Sequence, residues 1–170
     1  MLKMEYPSIY SFPPFFTIQP NTDSWLKQQE MWIDLILAFQ RHNQSFILNT
    51  DPTAEPFTNK SINRKIRRLI VGTFGREGIA LIIKQMIESK QAEYIDGRCY
   101  IFWKTLQALT DEMLLHVQST GKVGSICTFY ELINESPIKG IDETILKKII
   151  GKIAKDGKAI VFGSDGVKFI

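Results

Sequence analysis

Two Asp-Gly dipeptides, Asp96-Gly97 and Asp165-Gly166, constrain this chain more than any other feature. Each sits between two short apolar runs: Ala92–Ile95 with Cys99–Trp103, and Ala159–Phe162 with Val167–Ile170. Asp and Gly tolerate the left-handed backbone that a tight hairpin demands, so each dipeptide predicts a two-stranded hairpin turning on it. What precedes each hairpin is also alike. In the first half, Asp23 or Ser24 caps a helix that ends around Arg41–Asn43, with Trp25, Trp32, Leu35, Ile36 and Phe39 on one face. Phe46-Ile47-Leu48 is a short strand. Lys60–Val71 and residues 76–90 are helices, the latter with Ile79, Ile82, Ile83, Met86 and Ile87 inward. In the second half, Leu106–Ser119 is a helix and Ser125-Ile126-Cys127 a short strand. Thr128 and Glu131 form a capping box that opens a short helix running to about Glu135. Asp142 caps a longer helix to Lys155, with Ile145, Leu146, Ile149, Ile150 and Ile153 inward.

The order helix, strand, helix, helix, hairpin therefore occurs twice. It is the order of the winged helix, a helix-turn-helix with a two-stranded wing. The expected fold is α+β and mainly helical: two tandem winged-helix domains, 23–104 and 105–170, preceded by an extended Pro/aromatic segment, 1–22. A chain of 170 residues accommodates two such units.

The charge pattern and the scarcity of reactive groups argue against most enzymatic roles. The chain carries +3 from 21 basic and 18 acidic residues. The surplus lies in residues 1–104, with 13 basic and 10 acidic; residues 105–170 have eight of each and no arginine. The two histidines, His42 and His116, are far apart, and Cys99 and Cys127 have no neighbour at ligand spacing, so no metal, cofactor or nucleophile set is expected. Both cysteines read as small apolar fillers. Gly72, Gly75 and Gly78 precede a helix, but G-T-F-G-R-E-G is not a phosphate loop and reads as a turn. The run Lys60, Arg64, Lys65, Arg67 and Arg68 reads first as the solvated face of an amphipathic helix, and otherwise as a patch for phosphate or acidic lipid. A winged-helix DNA-binding protein is the alternative function. The helix at 142–155 opens with Asp142-Glu143 and the net charge is small, which counts against nucleic acid. The opening run lacks a continuous apolar stretch and does not read as a signal peptide, and no stretch is long enough to span a bilayer. A reducing compartment, cytosol or nucleus, is expected.

The opening segment is the unusual part. Pro7, Pro13, Pro14 and Pro20 exclude regular helix and bias the chain to extended geometry. Yet Tyr6, Tyr10, Phe12, Phe15 and Phe16 would expose five rings on a free tail, so they must pack on something. Pro13-Pro14-Phe15-Phe16 joins a pre-stiffened backbone to two adjacent rings, which suits a peptide laid in a groove. Packing back on the first domain is equally compatible with the residues.

Several strings resemble the small subunits of the ESCRT-II endosomal sorting complex. They are Tyr10–Thr17 continuing to Asn21, Trp32-Ile33-Asp34, Trp103-Lys104-Thr105-Leu106, Gly121-Lys122, Cys127–Leu132 and Val167–Ile170. The resemblance implies two winged helices, no catalysis and no small-molecule substrate. It implies that Pro13, Pro14, Phe15 and Phe16 dock onto winged-helix domains of the two larger ESCRT-II subunits. It further implies that the second domain recruits an ESCRT-III subunit, linking sorting of ubiquitinated cargo into multivesicular bodies to the filament. The protein would be cytoplasmic and recruited to the endosomal membrane, mainly through partners.

Overall fold

The computed structural model describes residues 3–60 and 74–170. The expected helix Lys60–Val71, with its basic cluster, lies outside the described residues apart from Lys60. The chain divides into two compact units, Met1–Trp103 and Lys104–Ile170.

In the first unit, α1 (Thr22–Asn43) is capped by Asn21, whose side chain accepts from the Ser24 amide at 3.0 Å. The cap therefore lies two or three residues earlier than the Asp23 or Ser24 expected. The helix ends at Gln44, which adopts left-handed geometry (φ 53°). Strand β1 (Ile47–Leu48) follows, then α2 (Gly75–Glu88), β2 (Ala92–Ile95) and β3 (Arg98–Ile101). The strands form an antiparallel sheet in the order β1-β3-β2, with Tyr100 between Ile47 and Glu93. The β2–β3 turn is the one the sequence predicts: Asp96 and Gly97 have φ of 51° and 76°. Ile79, Ile82, Ile83 and Met86 of α2 are buried, whereas Ile87, expected inward, lies on the rim.

The second unit runs α3 (Leu106–Ser119), β4 (Ile126–Thr128), α4 (Phe129–Asn134), α5 (Glu143–Lys155), β5 (Ala159–Phe162) and β6 (Gly166–Phe169). Its sheet is antiparallel in the order β4-β6-β5. The capping box is complete: Glu131 donates its amide to Thr128 Oγ1, and the Thr128 amide donates to Glu131 Oε2, both at 3.1 Å. Asp142 Oδ1 accepts from the Ile145 amide at 2.9 Å and starts α5. That helix packs on α3 and β5 and buries Ile145, Leu146, Ile149, Ile150 and Ile153 in a core where Leu109, Met113, Val117, Val167 and Phe169 are buried too. The second hairpin does not turn on Asp-Gly. Gly166 already belongs to β6, opposite Phe162, and the left-handed residue of the turn is Gly163 (φ 59°). Asp165 is held by its carbonyl, which accepts from the Phe129 amide at 2.7 Å.

Candidate partner-docking site

The opening segment does not run extended throughout. Two single turns of 3-10 helix form, Ser8–Ser11 and Pro13–Phe16. The prolines permit this because the first turn of any helix needs no amide donor, and the proline φ already suits it. Pro13 and Pro14 occupy those first positions, and the Thr17 amide closes the turn on the Pro14 carbonyl at 3.2 Å.

That turn sends two rings inward. Phe15 and Phe16 are 2% and 4% exposed and belong to the core of the first unit. Phe15 lies flat on Trp32, with centroids 4.2 Å apart and planes within 4°. Phe16 meets the same indole edge-on at 5.4 Å. Trp32 is stacked in turn with Phe74 at 4.7 Å, and more loosely with Phe57. Such contacts add about 0.5–1.5 kcal/mol each beyond the area they bury.

Polar groups hold the backbone of the segment. Gln28, one turn before Trp32 on α1, points its amide nitrogen at three carbonyls: Thr17 at 2.6 Å, Phe15 at 2.7 Å and Pro14 at 3.3 Å. Trp32 Nε1 donates to the Phe15 carbonyl at 2.9 Å. Gln19 Nε2 and Thr17 Oγ1 both donate to the Pro14 carbonyl at 2.9 Å. The Phe74 amide donates to the Phe16 carbonyl at 2.8 Å. Further upstream, Tyr10 stacks on Tyr6 at 4.0 Å, and its hydroxyl lies 2.7 Å from the Thr58 carbonyl and 2.9 Å from that of Pro56. Burial, with Tyr6 and Glu55 nearby, raises the Tyr10 phenol well above its ordinary range, so it stays a neutral donor.

The outward side of the segment is different. Phe12 is 54% exposed, and Pro13 and Pro14 are half-buried. Phe12, Pro14, Ile9 and Met31 rim a cleft of about 190 Å³, open to solvent. A larger open groove of about 670 Å³ runs between residues 4–9 and the α1 residues Met31, Asp34, Leu35 and Ala38. The four residues singled out in the sequence thus stay together but differ in burial: Pro13 and Pro14 are half-buried, Phe15 and Phe16 lie in the core. Sequence reasoning missed Phe12 as the exposed ring and Gln28 as the clamp. A signal for Gln28 existed: a glutamine four residues before Trp32 on the helix face that packs inward.

Among the described residues, no group of three or more His, Cys, Asp or Glu could hold a metal ion. Cys99 and Cys127 are buried free thiols; burial pushes Cys99 up to about 11 and raises Cys127 as well. No described helix is long and apolar enough to cross a membrane.

Fold and site together define an α+β protein with small antiparallel sheets, whose most distinctive surface is an apolar ridge held rigid by its own core. The chain belongs to the family of ESCRT-II complex subunits, whose model matches residues 9–146. It is 31% identical to vacuolar protein-sorting-associated protein 25 of Danio rerio, over 99% of each chain. It is 30% identical to the Homo sapiens protein of that name, over 99% of this chain and 98% of the other. The Schizosaccharomyces pombe protein is 31% identical, over 96% and 94%. The crystal structure of subunit VPS25 of the endosomal trafficking complex ESCRT-II shares the fold, with a TM-score of 0.81 at 23% identity over 96% of this chain and 98% of that one. A chain of the ESCRT-II crystal structure containing VPS22, VPS25 and VPS36 matches with a TM-score of 0.73 over the same shares, again at 23% identity.

Proposed function

We propose that this chain is a non-enzymatic adaptor subunit of ESCRT-II, built from two winged helices and docked to its partners through the opening segment. The partners are the two larger subunits of the complex, of the VPS22 and VPS36 kind, and their winged-helix domains receive the segment. The first winged helix spans 23–104 and the second 105–170. The second carries the contact to an ESCRT-III subunit, so that the protein couples sorting of ubiquitinated cargo to filament assembly. It works in the cytoplasm and reaches the endosomal membrane through its partners.

The observation that supports this best is the divided role of residues 12–16. Phe15 and Phe16 fasten the segment from beneath, and the backbone is hydrogen-bonded at nearly every turn. Phe12, which is exposed, and the half-buried Pro13 and Pro14 then offer an apolar ridge to a partner. A preformed ridge loses little conformational freedom on docking, which is how a small contact gains affinity. Within the Pro13–Phe16 motif, Pro13 and Pro14 touch the partner, joined by Phe12, and Phe15 and Phe16 set the shape they present.

A tagged pull-down from the source cell tests this. The Phe12→Ala/Pro13→Ala chain should recover the two larger subunits at a small fraction of the natural level while keeping its thermal midpoint. Equal recovery by both chains would move the interface elsewhere.

A further inference from the structure

The cleft beside Phe12 has an unanswered acceptor in its wall. Gln28 lines that cleft and is 3% exposed. Its Nε2 is turned to the carbonyls of Pro14, Phe15 and Thr17. The end of the amide left over is Oε1, which is buried and has no hydrogen-bond partner. An amide oxygen has two lone pairs to offer, and one kept from water and unpaired is costly. Buried polar atoms of native chains are nearly always paired, so this one calls for an explanation.

The rest of the wall says what could answer it. Apart from Gln19 and Ser24, both neutral, the other lining side chains are apolar, and no charged residue is among those described. A charged side chain brought here would lose water and find no counter-ion. An aliphatic one would leave Oε1 unpaired. Size narrows the choice further. At about 190 Å³ the cleft falls short of the roughly 300–1,000 Å³ of a drug-sized site, yet exceeds the roughly 150 Å³ that holds one benzene ring. Tyrosine and tryptophan join an apolar ring to a single donor that seeks a partner when buried.

We propose that this cleft receives one uncharged aromatic side chain of a docking partner, a tyrosine phenol or a tryptophan indole, whose O–H or N–H donates to Gln28 Oε1. Oε1 is shut from solvent in the free chain, so the incoming ring displaces a rim side chain to reach it. Phe12 and Met31, 54% and 38% exposed, are the rim side chains placed to give way. Both then suit the ring as neighbours, Phe12 by ring contact and Met31 through its thioether. The inference rests on the reading that the opening segment docks to a partner, and it names the side chain that the segment receives in return.

The test uses the purified full chain with isotope-labelled methionine methyls and side-chain amides, observed by NMR. It is titrated with para-cresol and indole, and with two analogues whose donor is capped, the methyl ether of para-cresol and N-methylindole. The uncapped probes should shift the Met31 methyl and the Gln28 amide, while the methyls of the fully buried Met86 and Met113 stay put. Capping should weaken binding about tenfold, the scale of one unmade hydrogen bond. Equal binding of capped and uncapped probes, shifts centred away from Met31, or no binding by any probe would overturn the proposal. The larger ESCRT-II subunits are then added in place of the probes. A complex in which the Met31 methyl moves as it does with the probes supports a partner ring in the cleft. A complex that leaves Met31 unmoved overturns this inference and leaves the docking reading standing. If no complex forms, the docking reading fails and takes the partner ring with it, a failure that the probes tell apart from one of the cleft itself.

Discussion

Gln28 clamps the opening segment to α1 through one side-chain amide. Its amide nitrogen serves three carbonyls while its Oε1 is buried without a partner. That fixes which end of the amide faces the segment, because only nitrogen can donate. In Gln28→Leu, the Phe15 carbonyl keeps Trp32 and the Pro14 carbonyl keeps Gln19 and Thr17, but the Thr17 carbonyl loses its short bond. The variant should lose about 1–3 kcal/mol in urea unfolding, the cost of a buried acceptor left unmade. An unchanged midpoint would mean the clamp is ornamental. Cys99 offers a pH readout at the same scale. Its folded thiol is raised from 9.0 to about 11, so between those values the unfolded chain loses a proton that the folded chain keeps. Stability should therefore fall as pH rises from about 9 toward 11. Cys99→Ala should shallow that slope in denaturation curves recorded across the range. Neither Gln28 nor Phe12 was legible as a site residue. A proline-rich stretch has no period, so nothing in it says which rings turn inward until the turns around Pro7, Pro13 and Pro14 are known.

Elements with a strong local code were legible. The capping box at Thr128 and Glu131, the Asp142 cap and the Asp96-Gly97 turn each depend on a few adjacent residues, and each forms as expected. The second turn misled because Asp165-Gly166 carries the same dipeptide, but Gly163 takes the left-handed position and lets Gly166 enter the strand. Close packing between elements was equally hidden. A Cβ at Gly78, on the first turn of α2, would meet the Phe74 ring at 2.4 Å. That ring cannot swing freely, since it is stacked against Trp32. Gly78→Ala should therefore destabilise the protein by about 1–3 kcal/mol despite the better helix propensity of alanine. A stabilised variant in thermal unfolding would show that Phe74 has room to move. By contrast, Gly151 on α5 has open space at its Cβ, so Gly151→Ala should gain up to about 1 kcal/mol in the same assay.

At the scale of the whole molecule, the chain is two compact units, and the first carries the proline-aromatic ridge and the cleft beside it. Membership of the ESCRT-II subunit family sets the context in which both surfaces are to be tested. If the opening segment docks as proposed, anchoring and contact are divided among neighbouring residues of one short segment. Calorimetric titration of the purified chain into the two larger ESCRT-II subunits, with thermal unfolding of every variant alongside, tests it most directly. Phe12→Ala should weaken binding at least tenfold with an unchanged midpoint, whereas Phe15→Ala should lower the midpoint, losing about 3–5 kcal/mol of stability. Unchanged affinity in Phe12→Ala, with full stability and weakened binding in Phe15→Ala, would rule this division out: the inward ring would then be the one that meets the partner.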